Sequence, residues 1–233
     1  MNLKYLTATI LLLFSEFFLI ELPESQSVIA IALIRIFAAF VLWLWYFQYR
    51  KPLPTLIDKL FSLTLLLPVL ISIGVMFSPG IMKDINIIMH AGILCLWAAV
   101  FRQMGAEIKF HGVLYKFLWS IPIYALLPIL FYIFSLHTAL PNFDKALLLG
   151  YTLIYIYTST LASFLPIQAV DKFWIRWSVI LMAFANLLVF YSIFVEKLPW
   201  LGTIPRITVI ISRCILIVAM LNYFSGKQAS DQQ

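Results

Sequence analysis

Hydrophobic residues along this chain fall into long blocks separated by short polar connectors. A helix needs about 20 apolar residues to cross the hydrocarbon core of a bilayer. Eight blocks meet that length, near 5–21, 27–48, 60–78, 85–101, 113–136, 146–166, 173–195 and 207–224. Helix-breaking connectors divide them, including Leu22-Pro23-Glu24-Ser25, Arg50-Lys51-Pro52-Leu53-Pro54 and Ser78-Pro79-Gly80. Pro68 in the third block, and Pro122 and Pro128 in the fifth, are expected to kink their helices. The pattern predicts an all-α, polytopic membrane bundle over 1–224 with a disordered polar tail over 225–233.

Composition removes the competing classes. Of 233 residues, 64% are hydrophobic and 11% are charged, and the mean hydropathy is +1.01. Soluble domains carry about 25% charged residues. A soluble enzyme, a disordered chain and a nucleic-acid-binding domain are all excluded on this basis. The first block follows Lys4 and is interrupted by Glu16, and Glu21-Leu22-Pro23-Glu24 offers no small-residue cleavage site. It reads as a retained span, not a signal peptide.

The net charge of +6 is a matter of topology. In an eight-span bundle, one side collects ten Lys and Arg, among them Arg50, Lys51 and Lys59, against four on the other side: Lys83, Lys145, Lys197 and Arg206. That bias places both termini in the cytoplasm. A bacterial inner membrane is the expected location. Trp43, Trp45, Trp119, Trp174, Trp177 and Trp200 lie near block ends, as in an interfacial aromatic belt. Cys95 and Cys214 fall inside apolar blocks and read as small buried hydrophobes.

Ionisable groups inside a span cost about 2.5–3.5 kcal/mol each on insertion scales. The informative residues are therefore Glu16, Arg35, His90 and Arg213, with the uncharged Asn186 nearby in depth. At a rise of about 1.5 Å per residue, all lie roughly 8–12 Å below the outer surface, Asn186 slightly deeper. Tyr151 and Tyr155 fall in the same layer. This predicts a polar chamber opening toward the outer leaflet. Glu16 and Arg35 sit at matched depth on adjacent helices. Two arginines against one carboxylate leave the chamber net positive, and the planar guanidinium fork suits phosphate or carboxylate. The alternative is that Arg35 and Arg213 snorkel to the headgroups and His90 bonds a backbone carbonyl.

Other chemistry is not visible. The serine-hydrolase elbow, nucleotide-binding loops and the His-Glu-x-x-His motif are missing from the sequence. His90, His111 and His137 fall in three different layers, so they cannot share one metal, and no metal or cofactor is expected. Ser159, Ser163 and Ser178 have no adjacent base and read as small polar residues at helix interfaces.

Lys51-Pro52-Leu53, the stretch from Phe184 through Asn186 to Phe194, and Ser212-Arg213-Cys214-Ile215-Leu216 resemble segments of the YhhN family. That family includes the lysoplasmalogenases, which cleave the vinyl-ether bond of lysoplasmalogens. The resemblance implies eight spans and action on a lysolipid-like amphiphile. Glu16, His90 and Asn186 would then be the catalytic group, and Arg35, Arg213 and Tyr155 would hold substrate. Three departures matter. Asn186 stands where the family has Asp and cannot accept a proton as a general base. Met89-His90-Ala91-Gly92 supplies no carboxylate where the family has a Gly-Asp pair, and Arg213 replaces a neutral amide. Two non-catalytic readings therefore stand beside hydrolysis: a binder or transporter of an anionic amphiphile, and a membrane scaffold whose charges fix helix packing.

Overall fold

The computed structural model describes Thr7, Leu11 and residues 24–50, 55–77, 82–108, 126–133, 142–195 and 203–231. The described residues form helices and turns without strands. Seven helices are α1 (Glu24–Tyr49), α2 (Leu56–Phe77), α3 (Met82–Gln103), α4 (Leu127–Phe131), α5 (Asn142–Ser163), α6 (Ala169–Phe194) and α7 (Thr203–Asp231). Five of them, α1, α2, α5, α6 and α7, are long and apolar enough to cross a membrane. The apolar stretch of α3 is shorter, Ile87–Gln103.

Observed helices begin a few residues before the expected blocks. Asp58, Asp144 and Asp171 occupy the first turns of α2, α5 and α6. A carboxylate there is stabilised by the positive end of the helix dipole, so the helix extends through residues that hydropathy alone assigns to a connector. The tail behaves similarly. It was expected to be disordered from Ser225, but α7 is helical through Asp231, because propagating an existing helix costs far less than nucleating one. Gly105 ends α3 with φ +88. Its N–H donates to the Arg102 carbonyl, and the Ala106 N–H donates to the Phe101 carbonyl, each at 2.9 Å. These are the two bonds of a Schellman cap, which needs a left-handed residue at this position.

Six helices pack in a closed circuit, α1–α2–α3–α5–α6–α7 and back to α1. Trp97, Tyr46, Tyr151, Phe61, Phe101 and Phe190 are its largest fully buried side chains. The outward faces carry Phe37, Phe40, Leu63, Leu70, Ile88, Leu153, Phe184 and Ile211, while Thr158, Ser178, Asn186, Ser212 and Arg213 are inside. Large apolar side chains on the outward faces, around an interior that is itself mainly apolar, suit a hydrocarbon surround. Cys95 belongs to the outward set, not to the core as the sequence suggests. It lies two turns from the exposed Ile88 on the same face of α3.

Short polar contacts fasten the circuit. Ser178 and Ser212 exchange bonds, each hydroxyl donating to the other's backbone carbonyl at 2.8 Å. This close approach of α6 and α7 is the role expected of small polar residues at helix interfaces. Thr158 Oγ1 donates to the Leu94 carbonyl at 3.1 Å, tying α5 to α3.

Candidate functional site

One face from each of five helices converges on a single cavity. From α1 come Arg35, Ala38, Ala39 and Leu42, and from α2 come Pro68, Ile71 and Ser72. His90 comes from α3, and Asn186, Val189 and Phe190 come from α6. Pro205, Arg206, Val209, Ile210 and Arg213 come from α7. Spacings of three, four and seven residues within each set are those of one helical face. The cavity encloses about 120 Å³. That is enough for several waters or a small polar group, and well below the roughly 300–1,000 Å³ of sites that engulf a whole drug-sized ligand.

Four residues singled out by depth thus meet here: Arg35, His90, Asn186 and Arg213. Arg213 is only 8% exposed. Among the described residues no hydrogen bond or ion pair engages its guanidinium. Asn186 is 3% exposed, and its amide nitrogen donates to the Tyr151 hydroxyl at 2.7 Å. The Tyr151 ring meets Phe190 at 5.0 Å and 90°, so α5 braces the cavity wall of α6 without lining it. Glu16 lies outside the described residues. Tyr155 is buried in the core one turn beyond Tyr151 and is not among the lining residues.

Sequence reasoning passed over Arg206, which entered the topology argument only as an outer-side charge. Its position seven residues before Arg213 places both on one face of α7, and that spacing was the available signal. Pro68, Ser72 and Phe190 were also missed. Pro68 cannot donate a backbone hydrogen bond within α2.

The described lining contains three arginines, a histidine, neutral amide and hydroxyl groups, apolar walls and no Asp or Glu. Among the described residues, no group of three or more His, Cys, Asp or Glu side chains is placed to hold a metal. The Arg213 guanidinium is a planar fork of the kind that pairs with carboxylate or phosphate. Asn186 supplies hydrogen bonds but no base. Comparison with protein-family models, curated proteins and solved structures returns no match.

Proposed function

We propose that this chain is an eight-span integral membrane protein with both termini in the cytoplasm. In this reading the cavity opens toward the outer leaflet and binds a lysolipid-like anionic amphiphile. The observation that carries the proposal is Arg213, a buried guanidinium without a partner among the described residues, set in a cavity shared with Arg35 and Arg206. A buried charge is strongly unfavourable unless compensated, and a bound anion supplies the compensation. The small volume fits a headgroup, leaving the tail to the apolar faces and the lipid.

A second reading is hydrolysis of a lysolipid ether bond, as the likeness to the YhhN family implies. His90 in the same cavity supports it as a proton carrier, with Asn186 orienting the reacting group or a water. Glu16 would complete the acid–base pair.

Mass spectrometry of lipids retained by the purified protein tests the first reading. Wild-type protein should retain an anionic single-chain lipid that folded Arg213→Leu protein does not. Retention that is indifferent to Arg213 would sink it. Aldehyde release from a lysoplasmalogen, abolished by Arg213→Ala, would establish the second.

A further inference from the structure

We propose that the cavity is one of two mouths of a single path through the bundle, and that this path admits water past a gate at Trp97. The inference goes beyond amphiphile binding and uses none of the cavity's charges.

The second mouth is a pocket of about 350 Å³, lined by Met104, Asp171, Asn222 and Tyr223 and by the turn from Pro166 to Gln168. It is built from the other ends of helices that form the cavity. His90 lies in the first half of α3, and Met104 lies just past its end. Asn186 lies in the second half of α6, and Asp171 lies in its first turn. On α7 the cavity lining ends at Arg213 and the pocket lining begins at Asn222, about 14 Å farther along the helix.

The interval between the two mouths is closed in this structure. Ile175, Val179 and Met182 of α6 are buried there, with Ile217 and Met220 of α7. Trp97 is the largest fully buried side chain among the described residues. It stands midway along α3 between His90 and Met104, and the seven-residue spacing on either side puts all three on one helical face.

This plug is not uniformly apolar. Trp97 is 2% exposed, and its indole N–H has no hydrogen-bond partner among the described residues. Ser159 of α5 is fully buried, and its hydroxyl is equally without a partner there. Ser159 continues a line of hydroxyls at four-residue spacing, through Tyr151 and Tyr155. That line starts at the Asn186 bond on the cavity wall and runs toward Pro166 at the pocket. A polar group sealed in a membrane interior without a partner is costly. Water supplies the missing partner and is small enough to reach it. The unbranched side chains of Met182 and Met220 change rotamer easily, so the interval can open without moving whole helices. Apolar walls of this kind conduct when wetted and shut when they dry.

The test reads the gate and then the path. Full-length protein in a maltoside detergent, carrying isotope-labelled tryptophan, is followed by nuclear magnetic resonance in heavy water. The Trp97 indole signal, identified by its loss in Trp97→Phe, should exchange within minutes while the Trp97 backbone amide stays protected for hours. Proteoliposomes under osmotic load should shrink at least threefold faster than protein-free vesicles. Ser159→Val should halve that excess, and Trp97→Ala should raise it at least threefold. Met220→Ala opens the same interval if Trp97→Ala does not fold. An indole as protected as the backbone amide would overturn the gate. An exchanging indole, with shrinkage at the protein-free rate in wild type and in Trp97→Ala, would overturn the path and leave an enclosed water. Fast shrinkage indifferent to both substitutions would overturn the assignment to Trp97 and Ser159. None of these results bears on amphiphile binding, which neither assay reads.

Discussion

The charged groups at the two ends of this bundle live under opposite rules. Away from the cavity, buried acids are satisfied. Asp58 accepts from the Tyr46 hydroxyl at 2.7 Å and pairs with Arg50, whose guanidinium also stacks over Phe47 at 4.3 Å. Asp171 accepts from the Asn222 amide at 3.1 Å. On the order of 15–20 Å along the helices, the cavity end gathers three arginines with no acid in its described lining. The first arrangement holds helices together. The second leaves the Arg213 guanidinium without a partner among the described residues. Partnered charge reads as architecture, and on the proposed reading the lone Arg213 guanidinium marks the binding site.

Removing a partner should therefore be costly at one end and favourable at the other. The largest effect is expected for Arg50→Met, which strands the carboxylate of Asp58. Arg50 keeps 25% of its side-chain surface exposed against 4% for Asp58, so the loss should sit near the lower limit for breaking a buried pair, about 3 kcal/mol. Chemical unfolding in detergent measures it, and a loss below about 1 kcal/mol would mean that the pair is not holding α1 to α2. Tyr46→Phe should cost about 2 kcal/mol in the same assay, because it removes a hydrogen bond to a charged group in a fully buried position. Arg213→Leu should move the other way. Without ligand, the variant should unfold at higher temperature, with a gain of roughly 1–2 kcal/mol, while losing anion binding. A destabilised Arg213→Leu protein would erase the contrast and return Arg213 to a structural role. The smallest effect is expected at the serine exchange. A double-mutant cycle with Ser178→Ala and Ser212→Ala should give a coupling of about 0.6 kcal/mol, the usual size for such bonds between membrane helices.

Much of this arrangement was legible in the sequence, and the residues show why. Hydropathy located α1, α2, α3, α5, α6 and α7 because each needs a long apolar stretch. It misplaced their starts because Asp58, Asp144 and Asp171 look like connector residues but serve the first helical turn. Depth counting brought Arg35, His90, Asn186 and Arg213 into one layer, and they line one cavity. The same counting put both Tyr151 and Tyr155 in that layer, and the substrate role went to Tyr155 where Tyr151 makes the contact to Asn186. Those tyrosines are one turn apart, and block boundaries uncertain by a turn cannot separate them. Arg206 escaped because a charge near a helix end satisfies the topology rule whether or not it faces inward. Direction around a helix axis is set by packing against neighbours, which depth does not report.

Closure of the helix circuit has a consequence for how the protein is made. Helices enter a membrane in chain order and associate afterwards. The cavity needs faces from both α1 and α7, and the circuit closes only where those two helices meet. Arg35 is therefore among the first of the described lining groups to be synthesised and Arg213 is the last, so the cavity is complete only once α7 has packed. A chain halted before α7 would carry the faces of α1, α3 and α6 that hold Arg35, His90 and Asn186 without the helix that completes their cavity.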